Sequence, residues 1–244
     1  MTAIKIENLR KEYKDVVAVE GLNLEIEEGE LFALLGVNGA GKTTTVKMLT
    51  TLTKPTSGGA TIFGASVTGD SAKVKEYVDV SMQETAVARK LTVEENVEFY
   101  ARLSGQSGAE AEETKKYVYE AFDLGRVAKK KAAKLSGGWQ RKLSIALALV
   151  TKPKVLFLDE PTLGLDVIAR RELWTVIRKL KSDMTVILTT HYMEEAEALA
   201  DRIGIMKDGR LLFVGTKEEL FAATGKTNVE DAFIEIVSGG AVNA

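Results

Sequence analysis

Residues 36–44 read GVNGAGKTT, and their types and spacing match a phosphate-binding loop. In such a loop the glycines let successive backbone N–H groups surround phosphate oxygens. Lys42 would reach the β and γ phosphates, and the Thr43 hydroxyl would be a ligand for Mg²⁺. The apolar run LFALLG precedes the loop and the helix-patterned run TTTVKMLTTL follows it, which is the context this chemistry requires. Because chance would produce the pattern only about 0.01 times in a chain of this length, we predict a nucleotide-phosphate site.

A second apolar run, VLFL, ends in the acidic pair Asp159 and Glu160. A carboxylate at the C-terminal end of a strand beside the phosphate loop can hold Mg²⁺, usually through water. A second carboxylate next to it can orient and polarise an attacking water molecule. Acids at a strand end are also common on protein surfaces, and it is the combination with the phosphate loop that favours the catalytic interpretation.

His191 is the only histidine of the chain and follows a third apolar run, TVILTT, just before a predicted helix. Imidazole can donate a hydrogen bond to a phosphate group near neutral pH, which is the chemistry of a γ-phosphate sensor. Taken alone, the residue fits equally simple structural roles, and a histidine that starts a helix and bonds to local backbone groups is the interpretation to prefer. The other motifs make the catalytic role the working hypothesis.

The stretch KLSGGWQRKLSIALALV, residues 134–150, contains a second candidate anion site. Gly137 and Gly138 come just before a helix-spaced apolar run, and Ser136 is placed to cap that helix. Free N–H groups and the helix dipole both favour negative charge at a helix N-terminus. One chain therefore carries two candidate phosphate sites that are far apart in the sequence.

Length and composition exclude several classes of protein. The 244 residues can bury one large core, or one core and a small lobe, and the net charge of −2 gives no general reason to bind nucleic acid. The chain has no cysteine, which excludes disulfide scaffolds and thiolate metal sites and fits a reducing compartment. The N-terminus lacks the apolar core of a secretion signal, and no apolar run approaches the roughly 20 residues of a membrane helix.

The elements that would position these residues alternate between strands and helices in the C-terminal half. From residue 154 the predicted order is a strand KVLFLDE, a helix over 167–181, the strand TVILTT and a helix over 192–200. The segment RIGIMKDGRLLFVG then predicts a hairpin with an Asp208-Gly209 turn. Strands that alternate with helices in this way predict an α/β fold with a largely parallel sheet.

The N-terminal half has a different character. Residues 3–35 show short extended patterns, and the helix after the phosphate loop places Val46, Leu49 and Leu52 at helical spacing. Residues 84–151 are mostly helical, with Thr92 and Glu95 in capping-box spacing at the start of one helix. Near the C-terminus, NVEDAFIEI predicts a helix that packs on the core through one face, formed by Val229, Phe233 and Ile236.

In order and spacing, these motifs resemble the nucleotide-binding subunits of ABC (ATP-binding cassette) transporters. The resemblance covers essentially the whole chain and rests on five segments, namely GVNGAGKTT (Walker A) at 36–44, LSGG at 135–138, VLFLDE at 155–160, LGLD at 163–166 and His191. It implies a P-loop NTPase (RecA-like) α/β core with an N-terminal antiparallel β subdomain and an inserted α-helical subdomain. Residues 1–244 would form one ABC ATPase domain, divided into a core with a β-rich edge at 1–83 and 152–220, a helical subdomain at 84–151 and a helical tail at 221–244.

The resemblance also implies roles for individual residues. Tyr13 would stack on adenine, and Gln83 would contact Mg²⁺ or water and report to a transmembrane partner. Glu160 would be the catalytic base, and Asp166 would lie at a dimer interface. The implied catalytic set is Lys42, Gln83, Glu160 and His191, and the implied Mg²⁺ set is Thr43, Gln83 and Asp159. The implied ATP-binding set is Tyr13, Asn38, Gly39, Ala40, Gly41, Lys42, Thr43, Thr44, Ser136, Gly137, Gly138 and Asp166.

Partners follow from the same resemblance. We expect ATP and Mg²⁺ as ligands, a separate transmembrane permease, and a second nucleotide-binding subunit, identical or different, in head-to-tail arrangement. Residues 135–138, here named the signature segment, would close over the γ-phosphate held by that second subunit, which explains why one chain carries two phosphate sites. The expected location is cytoplasmic, on the inner face of the cell membrane through the permease, and no nucleic acid partner is expected.

Two positions depart from the family pattern. The commonest signature is LSGGQ, whereas the fifth position here is Trp139 and Gln140 follows it. This leaves the Ser136 hydroxyl and the glycine amides in place, and the family's role for the fifth side chain is not carried over to Trp139. Val37 replaces a frequent proline after the first glycine of the phosphate loop, at a position that offers no phosphate-contacting side chain.

Other classes of protein share part of the motif set. Relatives in DNA repair or chromosome structure divide this core with a long coiled coil, and translation-factor relatives usually carry two cassettes. The chain has no heptad run and one copy of each motif, so these non-transport ATPases fit less well. Unrelated P-loop enzymes such as GTPases or small-molecule kinases have no use for LSGG, and the guanine-binding pattern N-K-x-D is absent.

The direction of transport is indicated by smaller features. Regulated sugar importers carry a large added C-terminal domain, and amino-acid importers typically have S-A-L-D where this chain has LGLD. The threonines at 43–45, LSGGWQRKL, LGLD and the tail VEDAFIEI look most like the ABC-2-type export subfamily. We therefore expect export of a substrate that the sequence does not identify, with an importer ATPase of the same family as the alternative.

Overall fold

The computed structural model describes residues 1–239, which form two β-sheets and the helices packed around them. The strands are β1 (Thr2–Tyr13), β2 (Val16–Glu27), β3 (Leu31–Leu35), β4 (Ser57–Ile62), β5 (Ala65–Ser66), β6 (Val78–Ser81), β7 (Val155–Asp159), β8 (Thr185–Thr190), β9 (Arg202–Lys207) and β10 (Arg210–Gly215). The α-helices are α1 (Lys42–Leu49), α2 (Ser71–Tyr77), α3 (Val93–Leu103), α4 (Gly108–Phe122), α5 (Gly137–Ala148), α6 (Val167–Leu180), α7 (Met193–Leu199), α8 (Lys217–Thr224) and α9 (Val229–Val237).

Within residues 1–239 the central sheet has six strands in the order β10-β9-β3-β8-β7-β6, and only the pairing of β10 with β9 is antiparallel. This confirms the largely parallel α/β sheet. The register aligns Leu35 with Thr190 and Asp159 with Thr189. Because parallel strands end at the same edge, the phosphate loop, the acidic pair and His191 all leave the sheet side by side.

The hairpin of β9 and β10 has the predicted turn. Asp208 and Gly209 have φ values of 48° and 78°, and two left-handed residues give the turn a twist that matches the flanking strands. A second sheet, in the order β2-β1-β4-β5, has antiparallel pairing throughout and confirms the predicted N-terminal antiparallel β unit.

Alternate residues of β3 face two different hydrophobic cores. Leu31, Ala33 and Leu35 join a cluster that includes the buried faces of α3 to α9, whereas Phe32 and Leu34 join a cluster with the antiparallel sheet, α1 and α2. Successive side chains of a strand point to opposite faces, so a strand that is buried on both faces is apolar throughout. The central sheet is therefore covered on both sides and its polar groups are left at its C-terminal edge.

The helical predictions agree with the structure except after the phosphate loop. Helix α1 ends at Leu49 and Leu52 is 60% exposed, so the prediction that Leu52 continues the apolar helix face is wrong. The chain leaves the helix because Thr51 adopts a left-handed conformation, with a φ of 60°. Thr92 and Glu95 do form the predicted capping box at the start of α3.

Near the C-terminus, Val229, Phe233 and Ile236 are buried on one face of α9, which confirms that this helix packs on the core. The last residues of the predicted tail at 221–244, namely 240–244, lie outside the described residues. Among the helices of residues 1–239, none combines the length and the apolar character needed to cross a membrane.

Candidate nucleotide-binding site

The phosphate loop between β3 and α1 requires glycine at two positions. Gly41 has a φ of 104°, and a Cβ atom there would lie 2.4 Å from the Ala18 carbonyl oxygen. A Cβ atom at Gly36 would lie 2.4 Å from the Met206 carbonyl oxygen. The loop is therefore pressed closely against β2 and β9, and this packing fixes the course of its backbone.

Lys42, at the start of α1, is buried and points back across the loop. Its Nζ donates to the carbonyl oxygens of Gly36 at 2.6 Å and Val37 at 3.2 Å. The same Nζ lies 3.2 Å from Glu160 Oε1, in an ion pair whose side chains are only 5% and 7% exposed. A buried cation with several oxygen partners, at the end of a glycine-rich loop, is arranged to meet negative charge.

Asp159, the last residue of β7, is fully buried and held from two sides. The Thr43 hydroxyl donates to it, with Oγ1 lying 3.0 Å from both carboxylate oxygens, and the Thr189 hydroxyl donates to Oδ1 at 2.5 Å. These contacts join α1, β7 and β8 at the edge of the sheet. They bring together two of the three predicted Mg²⁺ residues through oxygen atoms, which are the ligands that Mg²⁺ prefers.

Glu160 leaves the end of β7 in a strained conformation, with a φ of 49°, and is buried. Its N–H donates to the Thr189 carbonyl oxygen at 3.1 Å, which maintains this turn. One carboxylate oxygen pairs with Lys42, and the other lies 2.7 Å from His191 Nδ1. Two predicted catalytic residues therefore contact the predicted base directly.

A cavity of about 390 Å³ opens over these groups. Its lining brings together ten of the residues predicted for the site, namely Asn38, Gly39, Ala40, Gly41, Lys42, Thr43, Thr44, Gln83, Glu160 and His191. Ala18 and Leu163 also line it and were not predicted, because a small residue on an edge strand and an apolar residue in a loop have no distinctive pattern. A cavity of this size with amide, cationic and carboxylate groups fits a nucleotide phosphate chain.

Tyr13 does not line this cavity in the described structure. It ends β1, is 44% exposed, and has the Lys11 ammonium 4.8 Å from the centre of its ring. An exposed aromatic ring is available for stacking on a base. Its proposed contact with adenine stays a prediction.

The signature segment, residues 135–138, also lies outside the cavity lining. Ser136 is at the N-cap position of α5, as predicted, but its hydroxyl makes no capping hydrogen bond, and both it and Gly137 are exposed. At Gly138 a Cβ atom would come within 3.1 Å of Ala169 Cβ, because α5 begins close against α6. The second candidate phosphate site is thus exposed and separate from the lining of the chain's own phosphate cavity.

Asp166 performs a local task at the start of α6. Its Oδ1 accepts hydrogen bonds from the backbone N–H groups of Ile168 and Ala169, both at 2.9 Å. Nearby Leu163, Val167 and Ile168 are exposed by 40%, 63% and 73%. Helix capping explains the type of residue at 166, and its predicted place in a dimer interface stays a prediction.

Sequence reasoning missed two buried ionisable residues behind the acidic pair. Burial lowers the pKa of Arg141 to about 10, although the carboxylates of Asp159, Glu195 and Glu160 oppose this shift. Burial also raises the pKa of Glu195, while the neighbouring hydroxyls of Thr190 and Thr162 oppose it. The apolar run SIALALV predicts a helix that is buried on all sides. A charged residue just before such a run, as Arg141 is, therefore needs hydrogen-bond partners.

The fold and the site together define an ATP-binding cassette of the P-loop class. The sequence pattern described as "ABC transporter" matches residues 19–163. The chain belongs to the ABC transporter family, and the resemblance drawn from its motifs is confirmed.

Relatives extend this assignment. "ABC transporter A family member 5" of Arabidopsis thaliana is 43% identical over 235 residues, which are 93% of this chain but 25% of that protein, so the chain spans about a quarter of the plant relative. "Daunorubicin/doxorubicin resistance ATP-binding protein DrrA" of Streptomyces peucetius is 41% identical over 224 residues, with 91% of this chain and 68% of that protein covered.

A solved structure titled "Dimeric structure of a post-hydrolysis state of the ATP-binding cassette MJ0796 bound to ADP and Pi" has the same fold. Its TM-score is 0.78 at 28% identity, with 87% of this chain and 98% of that chain covered. This similarity confirms the predicted fold, which is that of an ATP-binding cassette.

Proposed function

We propose that this chain is the ATP-hydrolysing subunit of an exporter, in which ATP-driven association of two cassettes moves a separate membrane permease. The observation that carries the proposal is the meeting of Lys42, Glu160 and His191 through direct contacts beside a phosphate-sized cavity. Phosphoryl transfer from ATP to water requires little more than charge stabilisation and a positioned nucleophile, and these groups provide both.

The phosphate loop would bind the ATP phosphates through its amides, with Lys42 on the terminal oxygens. Thr43, Asp159 and Gln83 would hold Mg²⁺, which neutralises phosphate charge when bound. The donor set fits this ion, because Thr43 and Asp159 already share hydrogen bonds at 3.0 Å and Gln83 lines the same cavity. Mg²⁺ in such sites typically takes one or two carboxylates, with phosphate and water as the other ligands.

Glu160 would accept a proton from the attacking water as that water approaches the γ-phosphate. Its carboxylate now contacts Lys42 and His191, so the entry of phosphate oxygens gives Lys42 a stronger anionic partner and makes Glu160 Oε1 available to the water. His191 would then bridge Glu160 and the γ-phosphate. Because Glu160 contacts Lys42 through one carboxylate oxygen and His191 through the other, the proton acceptor is positioned before the reaction begins.

A second copy of the cassette would complete each site. The exposed Ser136 and Gly137 lie at the start of α5, outside the lining of the chain's own cavity, which favours a nucleotide held by another subunit. The dimeric solved cassette of the same fold supports this arrangement. The exposed Leu163, Val167 and Ile168 around Asp166 would then be covered in the dimer.

Export is favoured by the DrrA relative, whose name records resistance to daunorubicin and doxorubicin. The division into a core, a helical subdomain at 84–151 and a tail at 221–244 remains part of this proposal, as does a place on the inner face of the membrane.

The replacement Glu160→Gln tests the catalytic assignment. We expect ATP binding to persist, the hydrolysis rate to fall at least about 100-fold, and a dimer to accumulate with ATP and Mg²⁺, because the amide cannot accept the proton. Calorimetry measures ATP binding, phosphate release measures the hydrolysis rate, and light scattering measures the dimer. Glu76→Gln, an exposed change on α2, is the matched control. Full ATPase activity, or a protein that stays monomeric with ATP and Mg²⁺, would show that the role given to Glu160 is wrong.

A further inference from the structure

Arg141, on the second turn of α5, is 4% exposed and makes four hydrogen bonds, all to backbone carbonyl oxygens. Nε donates to Pro161 at 2.8 Å, and Nη2 donates to Asp159 at 2.8 Å. Nη1 donates to Met82 at 2.5 Å and to Gln83 at 3.3 Å. One side chain thus holds the two segments that carry the acidic pair and the predicted Mg²⁺-contacting glutamine.

The guanidinium is suited to this task by its shape. Its donors project from a rigid plane in a fork, so it can bridge separate carbonyl groups, whereas a lysine ammonium is a single point of charge. A buried charge is costly unless it is fully hydrogen-bonded, and the four carbonyls provide that compensation. Any shift of either segment therefore disturbs the bonds of Arg141.

The other end of the link is the signature segment. Arg141 lies on the same helix as Ser136 and Gly137, which are placed at the start of α5. A short helix packed on both sides moves as a unit, and α5 is packed against α6 at Gly138 and is buried from Arg141 to Ala148. Arg141 and the signature segment are therefore joined by one packed helix.

We propose that Arg141 is a positioning residue that couples the chain's own nucleotide cavity to its signature segment. Nucleotide in the cavity shifts the segments around Gln83 and Asp159, and Arg141 passes this shift to the helix start that serves the opposite site. This inference rests on the proposed function, because only in a two-cassette assembly does the signature segment act on another nucleotide. Arg141 would then make the two hydrolysis sites interdependent.

Arg141→Lys keeps the positive charge and loses the fork. We expect kcat to fall about 10-fold or more, because small misplacements of catalytic groups are costly, while the KM for ATP changes by less than about threefold. The Hill coefficient for ATP hydrolysis should fall toward one. The matched control is Arg178→Lys on α6, where the arginine is exposed and donates to a single carbonyl, that of Ala198, and it should leave all three values unchanged.

A measurement on the single cassette tests the coupling without hydrolysis. ADP is bound to the dilute, full chain, and amide hydrogen exchange is followed in residues 135–142. We expect ADP to change exchange there in the unaltered protein and in Arg178→Lys, and to leave it unchanged in Arg141→Lys, although calorimetry finds ADP bound to all three. No change in the unaltered protein, an equal change in Arg141→Lys, or loss of ADP binding by that variant would each overturn the proposal.

The failure of this inference is distinguishable from that of the proposed function. A chain without ATPase activity would contradict the assignment as a hydrolysing subunit. A chain that hydrolyses ATP and loses that activity in Glu160→Gln, but has the same kcat and Hill coefficient in Arg141→Lys, would contradict the coupling alone.

Discussion

At the residue scale, Glu195 is a buried carboxyl group outside the predicted catalytic set, and only part of its hydrogen-bonding capacity is used. It lies on α7, is fully buried, and accepts a hydrogen bond from Trp174 Nε1 at 3.0 Å through Oε1. Among the described residues, Glu195 Oε2 and the hydroxyl oxygen of Thr162 have no hydrogen-bond partner. The hydroxyls of Thr162 and Thr190 lie near enough to lower the pKa of the carboxyl, but their geometry is not that of a formed hydrogen bond.

Burial is the largest influence on Glu195 and raises its pKa above the ordinary value of 4.5, and the nearby Glu160 raises it further. Since the folded pKa exceeds the unfolded one, the neutral form is favoured by folding. The stability from this group is complete below about pH 4.5 and is lost as pH rises through the folded pKa.

We therefore predict that Glu195→Gln flattens the pH dependence of stability. In the unaltered protein Glu195 should contribute a decline of up to about 1.4 kcal/mol per pH unit in the free energy of unfolding, from about pH 4.5 up to its raised pKa. The amide cannot ionise, so the free energy of unfolding of the variant should rise relative to that of the unaltered protein as pH rises. Urea unfolding across this range measures the difference, with Glu197→Gln on the same helix as control, and parallel curves for all three proteins would contradict the assignment.

At the element scale, the start of α5 shows what Trp139 does in place of the family's usual glutamine. Its ring packs against the main hydrophobic core, and the Lys142 ammonium lies 4.8 Å from the ring centre. Lys142 also forms an ion pair with Glu172 of α6 at 2.7 Å. Trp139 thus supports the junction of α5 and α6 through packing, and the signature backbone is left to make the proposed phosphate contacts.

This assignment predicts a loss of stability without a loss of affinity. Trp139→Gln should lower the free energy of unfolding by about 1–3 kcal/mol, because apolar burial and the cation–π contact are both removed, and the KM for ATP should remain within about threefold. Trp139→Phe keeps an aromatic ring and should lose less. Urea unfolding and steady-state kinetics check the two values, and a Trp139→Gln protein of full stability with a raised KM would indicate a nucleotide contact instead.

The elements show where sequence reasoning succeeds and where it stops. Strands and the hairpin were predictable because buried parallel strands are apolar throughout and the Asp208-Gly209 turn has a distinctive composition. The end of α1 was not predictable, because Leu52 fits the helical spacing and the sequence pattern does not indicate the left-handed conformation of Thr51. Glu195 was missed because a single charged residue in a polar helix has the same pattern whether it is buried with partners or exposed, whereas the apolar residues that follow Arg141 could have indicated its burial.

At the scale of the whole molecule, the site depends on topology more than on proximity in sequence. The phosphate loop follows β3, the acidic pair lies at the end of β7 and His191 follows β8, and the strand order β3-β8-β7 makes these neighbours. Their meeting could be predicted, since parallel strands end at one edge. The sequence could not predict where a nucleotide would lie relative to Tyr13, Asp166 and the signature segment. A composite site also depends on the surface of a second subunit.

Nucleotide binding should appear as stability of the entire fold, because the phosphate loop joins the central sheet, the antiparallel sheet and α1. A ligand that binds only the folded state adds about 2.7 kcal/mol at a hundred times its dissociation constant, which raises the Tm of a chain of this size by roughly 5–11 °C. We predict such a rise with a non-hydrolysable ATP analogue and Mg²⁺, and its loss in Lys42→Ala, because the terminal phosphates then lack their buried cation.

The shift within each variant is the quantity to compare in this last experiment. Removing Lys42 also leaves Glu160 buried without its ion-pair partner, so the Tm of Lys42→Ala without nucleotide should itself be lower. Lys47→Ala, on the same helix but not in the cavity lining, controls for loss of charge and should keep the full rise. An equal rise in Lys42→Ala would mean that nucleotide binds without this lysine, and the assignment of residues 36–44 as the phosphate site would have to be abandoned.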